Sequence, residues 1–242
     1  MHAPTSRRPL ALAIGAVRLA VGLAVMAILG YAYALGVAAG EPNPFDYFGY
    51  FTNLTSLLTG GVWIAIGARG IAGLPLPQSA NIVRAGGVAC MLVVGVVYNT
   101  LVPGTGSAPP WVSISLHVAF PALVALDWLL VGDRAPLPWR LWWIVLPYPL
   151  LWLAVVLTRG VTDGWVPYGF LLPAHGTASL AAHVAGLCAA LIALGLLVWW
   201  ASRFPGVLDR AAERSRPERG SLGAMPHSGR VAEDGGFEPP RA

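Results

Sequence analysis

Six apolar stretches, each close to the length that crosses a bilayer, constrain this chain more than any other feature. A spanning helix needs about 20 predominantly apolar residues. In lipid every backbone N–H and C=O must be satisfied within the structure, which leaves only helices and closed barrels. The stretches run roughly Val17–Ala39, Tyr47–Ala68, Ile82–Val102, Trp111–Val131, Leu141–Thr158 and Thr177–Ala201. None alternates as a barrel strand does, so the expected class is all-α, a polytopic membrane bundle of about six transmembrane helices. Composition agrees: 56% of the 242 residues are hydrophobic and 11% charged. A soluble domain, whose surface faces water, carries roughly a quarter charged residues. Pro147 and Pro149 lie in the fifth stretch, which is expected to kink because proline removes a helical N–H.

Every one of the 15 basic residues is arginine, and their placement sets an orientation. With the N-terminus inside, the inner segments collect Arg7, Arg8, Arg69, Arg84, Arg134, Arg140, Arg203 and Arg210. The outer loops then hold Glu41, Asp46, Asp163 and Arg159. The positive-inside rule therefore predicts both termini on the cytoplasmic side of a cell membrane. It also accounts for the basic pI near 9.4 without nucleic acid as a partner. Arg18, at the start of the first span, is expected to snorkel toward the inner interface. Trp111, Trp139, Trp165, Trp199 and Trp200 fall near predicted span ends, as interfacial belts do. Ser6-Arg7-Arg8-Pro9-Leu10 imitates a twin-arginine signal, but the apolar run that follows is too long for one, so it reads as an uncleaved span. Residues 1–203 form the transmembrane domain. Residues 204–242, rich in Arg, Glu, Pro, Gly and Ser, are expected to be a disordered cytoplasmic tail. The outer segment Arg159–Gly176, with Trp165, Tyr168 and Phe170, is expected to form an interfacial cap.

Polar residues at membrane depth are costly and therefore candidates for function. Thr52, Asn53, Thr55 and Ser56 fall in the outer third of the second span, and Tyr98 and Asn99 near the outer end of the third. His117 and His183 each come about two turns below the outer end of their spans. Four helices thus bring hydroxyls, amides and two imidazoles to one layer. Such a layer can glue helices together, or it can form a reactive pocket. In the second case Thr52 or Thr55 is the nucleophile, His117 the base, His183 its orienter or substitute, and Asn53 or Asn99 an oxyanion donor. Asp127 lies about 15 Å from His117 along the fourth span and is expected to pair with an arginine or a polar neighbour. Cys90 and Cys188 are isolated within apolar runs, without a disulfide or metal pattern. Two histidines lacking carboxylates at their depth do not make a metal site, and no cofactor is implied. Gly-x-Ser-x-Gly, His-Glu-x-x-His and phosphate-loop patterns are missing, and Gly104-Thr105-Gly106 reads as a turn. Besides a hydrolase, a lipid-binding or lipid-sensing protein and a small transporter remain open. Oligomeric state is not encoded in any feature of the sequence.

The segment Tyr50-Phe51-Thr52-Asn53-Leu54, together with His117 and Pro121, resembles the androgen-induced and androgen-dependent membrane hydrolases and their actinobacterial six-span relatives. The resemblance extends over roughly Arg7 to Arg203. It implies an intramembrane threonine hydrolase of lipid esters, specifically fatty acid esters of hydroxy fatty acids. Thr52 would be its nucleophile and His117 its base, with a membrane lipid as substrate.

Overall fold

Each apolar stretch forms a helix long enough to cross a membrane in this computed structural model, which describes residues 7–104 and 108–207. The helices are α1 (Arg7–Ala38), α2 (Phe51–Ile71), α3 (Gln78–Leu101), α4 (Pro110–Leu130), α5 (Trp139–Thr162) and α6 (Thr177–Ala201). No strand occurs among the described residues. Ser6, the side chains of Arg7 and Arg8, Thr105 and Gly106, and the expected tail from 208 onward lie outside the described residues.

Helix α1 begins ten residues earlier than its apolar core alone suggests, and that changes the fate of Arg18. It lies in the helix interior and is only 3% exposed. Instead of snorkelling to an interface, its guanidinium turns inward to two carboxylates. The expectation for this residue is corrected on that ground.

Packing of α1 on α2 depends on missing side chains. A Cβ on Gly67 would meet the Leu19 backbone nitrogen at 2.6 Å and the Gly15 carbonyl oxygen at 2.7 Å. A Cβ on Gly22 would meet the Gly60 carbonyl at 2.9 Å. Glycines seven apart on each helix therefore let the two backbones touch, as small residues do in membrane interfaces. On the other side of α2, Thr59 packs into the space left by Gly87 of α3. Helix α3 is the hub, with Ala85, Val88, Ala89 and Met91 fully buried. Elsewhere large apolar side chains such as Val17, Ile114 and Leu151 face outward, as a lipid-facing surface requires.

Two helices depart from α geometry where proline dictates it. In α5 a 3-10 segment, Trp139–Val145, precedes an α-helical run that starts at Pro147. Both prolines of this run lie in its first turn, where a missing N–H leaves no bond unmade. In α4 the turn Ser115–Ala119 is a π-helix, with the Phe120 N–H donating to the Ser115 carbonyl. Pro121 follows and has no N–H to offer the His117 carbonyl four residues back. The Asn99 side-chain amide reaches that orphaned oxygen across the helix interface at 3.4 Å.

Candidate functional site

Of the polar layer expected from depth, Thr52 and Tyr98 line an apolar cleft between α2, α3, α5 and α6. The cleft is open to one side and has a cavity volume of about 70 Å³. Val93, Val94, Leu153, Leu187 and Leu191 supply most of the wall, and Cys188 joins them on α6. At one end α2 begins with Phe51 and Thr52, and the segment between α5 and α6 folds across it to add Tyr168 and Phe170. This is the expected cap. Trp165 of the cap occupies the place where a side chain on Gly49 would stand. Arg159 holds the cap by bonds to Asp46 at 2.7 Å and Asp163 at 2.8 Å, and lies 4.2 Å over the Trp165 ring.

Thr52 is the hydroxyl that faces the cleft. Its Oγ and the backbone N–H groups at the start of α2 lie near the Tyr168 phenol. Burial pushes that phenol up to about 12, against the pull of those donors, so Tyr168 is neutral at physiological pH and can both donate and accept. Thr55 does not share this role, because its hydroxyl is engaged by Tyr148 Oη at 2.9 Å. Of the two threonines, Thr52 lines the cleft and Thr55 does not.

Both histidines stand one ring away from the cleft. His117 stacks on Tyr98 with centroids 3.6 Å apart, and Tyr98 lines the wall. His183 lies 5.6 Å from Phe170, which also lines it. Each imidazole bonds through Nδ1 to a serine carbonyl four residues earlier, Ser113 at 2.9 Å and Ser179 at 2.8 Å. A carbonyl only accepts, so both rings carry a proton on Nδ1, and in the neutral form Nε2 is the nitrogen left to accept. Among the described residues no hydrogen bond joins Thr52, His117 and His183. The Asn53 amide donates to the Tyr47 carbonyl at 2.8 Å, anchoring the short helix Pro44–Tyr47 that precedes α2. Asn99 donates to the Gly95 carbonyl at 2.7 Å besides that of His117. The structure therefore brings Thr52 and Tyr168 together, holds both histidines behind aromatic walls, and turns both asparagines to backbone carbonyls.

A second polar centre was only half legible. Near the opposite end of the bundle, Arg18 and Arg84 each bond both Asp127 and Asp133. The expected pairing of Asp127 with an arginine is found, twice over. Asp133 follows Gly132, which holds a left-handed φ of 67°, and this turn folds the carboxylate back under the bundle. Beside it, Arg134 lies 4.2 Å over the Trp128 ring and donates to the Ala201 carbonyl at the end of α6. No spacing rule joins residues 18, 84, 127 and 133, so the ring of charges exists only in three dimensions. The signal available was the presence of four ionisable residues in or next to apolar runs.

These features define a multi-pass helical membrane protein with an apolar cleft at membrane depth. Comparison of the chain with family models, curated proteins and solved structures finds no match.

Proposed function

We propose that the protein binds the hydrocarbon chain of a membrane lipid in the cleft between α2, α3, α5 and α6. The observation that carries this reading is an open, nearly all-apolar cleft within spanning helices, with hydroxyls at one end. Ligand sites have this form, mostly apolar with a few convergent polar groups that fix orientation. The arginine distribution adds that both termini are cytoplasmic in a cell membrane, which puts the Thr52 end toward the outer leaflet. The four-charge centre argues against proton transport through Asp127, since two guanidiniums hold its carboxylate. Mass spectrometry of the purified protein tests the reading. Wild type should retain lipid from the membrane, and Leu187→Trp, which fills the cleft, should lose it by about tenfold without a loss of folded protein.

Hydrolysis of a lipid ester is the second reading, favoured by one contact: the Tyr98 ring that walls the cleft also covers His117. A rotation of Tyr98 would open a path from His117 Nε2 to the Thr52 hydroxyl. Thr52 Oγ would then attack the ester carbonyl, His117 would take its proton and return it to the departing alcohol, and water would release the acyl group. Fluorophosphonate labelling distinguishes the two. Labelling of wild type that disappears in both Thr52→Ala and His117→Ala makes the protein an enzyme. A folded wild type that never labels leaves binding as its role.

A further inference from the structure

The lipid-binding reading leaves the ligand's chemistry open, and the lining of the cleft narrows it. Among the described residues no arginine, histidine, aspartate or glutamate lines the wall. Arg159, in the last turn of α5, is held by Asp46 and Asp163. An ionised carboxylate or phosphate drawn into this space would lose its water without gaining a counter-ion, which is prohibitive. The polar groups on the wall are few, and most have partners. The Trp152 indole N–H donates to the Gly49 carbonyl at 2.8 Å, and the Tyr98 phenol accepts from the Gly104 N–H at 3.3 Å. Thr52 and Tyr168 both line the wall near one another, two neutral hydroxyls at one end of an otherwise apolar surface. Each can donate one hydrogen bond and accept others. Together they match a single uncharged oxygen function at the end of, or within, a hydrocarbon chain.

We infer, on the footing of the lipid-binding reading, that the ligand is an uncharged lipid whose hydroxyl or ester oxygen lies between Thr52 and Tyr168. Fatty acids in their ionised form and phospholipid headgroups are excluded from the cleft. An alkane is accepted by the wall but gains nothing from the hydroxyl pair.

Photo-crosslinking of the full chain in nanodiscs tests this with four probes that carry a mid-chain diazirine. They are a long-chain alcohol, its methyl-ester counterpart, the fatty acid at mildly alkaline pH, and the parent alkane. The alcohol and the ester should label peptides of α5 and α6 at the cleft wall, and each unlabelled counterpart should compete. Labelling by the ionised acid and by the alkane should be weaker by about tenfold or more. Thr52→Val and Tyr168→Phe keep the shapes of the side chains and should each reduce alcohol labelling toward the alkane level. Equal labelling by acid and alcohol in wild type overturns the inference, and that comparison needs no variant to fold. Equal labelling by alcohol and alkane also overturns it, while leaving chain binding intact. If no probe labels the cleft, the lipid-binding reading fails and this inference with it.

Discussion

Asp127 and Asp133 sit where a charge without a partner would be hardest to hold, and each is shared by two arginines. Taking such charges out of water is costly, and what sustains them is the closed alternation of two cations and two anions. Removing one member leaves the others buried without balance. Asp127→Asn should therefore lower stability by roughly 3–5 kcal/mol, read as a drop in thermal unfolding temperature in detergent. Asp133 makes the same ring sensitive to acid. Burial alone would push its carboxyl up, but the Arg84 and Arg18 guanidiniums outweigh burial and hold it well below the usual carboxylate range. A depressed carboxylate contributes stability above its unfolded pKa of about 3.9 and loses it as pH falls toward the folded value. The unfolding temperature of wild type should be level at neutral pH and decline in acid below about pH 4. Asp133→Asn should begin lower and decline less. Depth arguments found Asp127 and proposed an arginine or a polar neighbour for it. They misplaced Arg18, because the true start of α1 lies upstream of the apolar run.

Helix existence was written plainly in hydropathy, and α6 begins and ends where its apolar stretch does. What hydropathy does not carry is which faces meet. Gly15, Gly22, Gly60 and Gly67 are visible in the sequence at intervals of seven, but glycine is common in spanning helices and nothing local names its partner. The interlock appears only once α1 and α2 are docked, and there it is exacting. Gly67→Ala would drive a methyl into the Leu19 nitrogen and the Gly15 carbonyl, atoms of backbone that cannot move aside. We expect a loss of about 1–3 kcal/mol. Gly86→Ala, on α3, has open space at its Cβ and should melt as wild type does or slightly higher. The π-turn of α4 has a similar history. Pro121 signals a disturbed helix, yet the sequence could not say that a wide turn would absorb it. Nor could it say that Asn99, a candidate oxyanion donor, would be drawn to the His117 carbonyl that Pro121 leaves unpaired.

Two centres at opposite ends of the bundle give the whole molecule a polarity. One end gathers Arg18, Arg84, Arg134 and Arg203 around two aspartates and the end of α6, where Arg203 donates to the Trp199 and Leu137 carbonyls. The other end carries aromatic side chains, the Asp46–Arg159–Asp163 latch and the Thr52–Tyr168 hydroxyl pair. Depth alone placed Thr52, His117 and His183 at that second end, because span direction follows from counting. It left the chemistry open, because whether two side chains at one depth touch depends on helix rotation, and low amphipathicity leaves rotation unmarked. The polarity also makes a testable claim about the membrane. Positive charge is retained on the cytoplasmic side during insertion, so the arginine end should be the inner one, and six crossings return the chain to the side on which it began. Fusions of a fluorescent protein to either terminus should fluoresce, and alkaline phosphatase fused at the same sites should be inactive. Phosphatase fused within the loop that follows α1 should be active. The reverse pattern would turn the molecule over and give the hydroxyl end of the cleft to the inner leaflet, so that lipid would enter it from the cytoplasmic side of the bilayer.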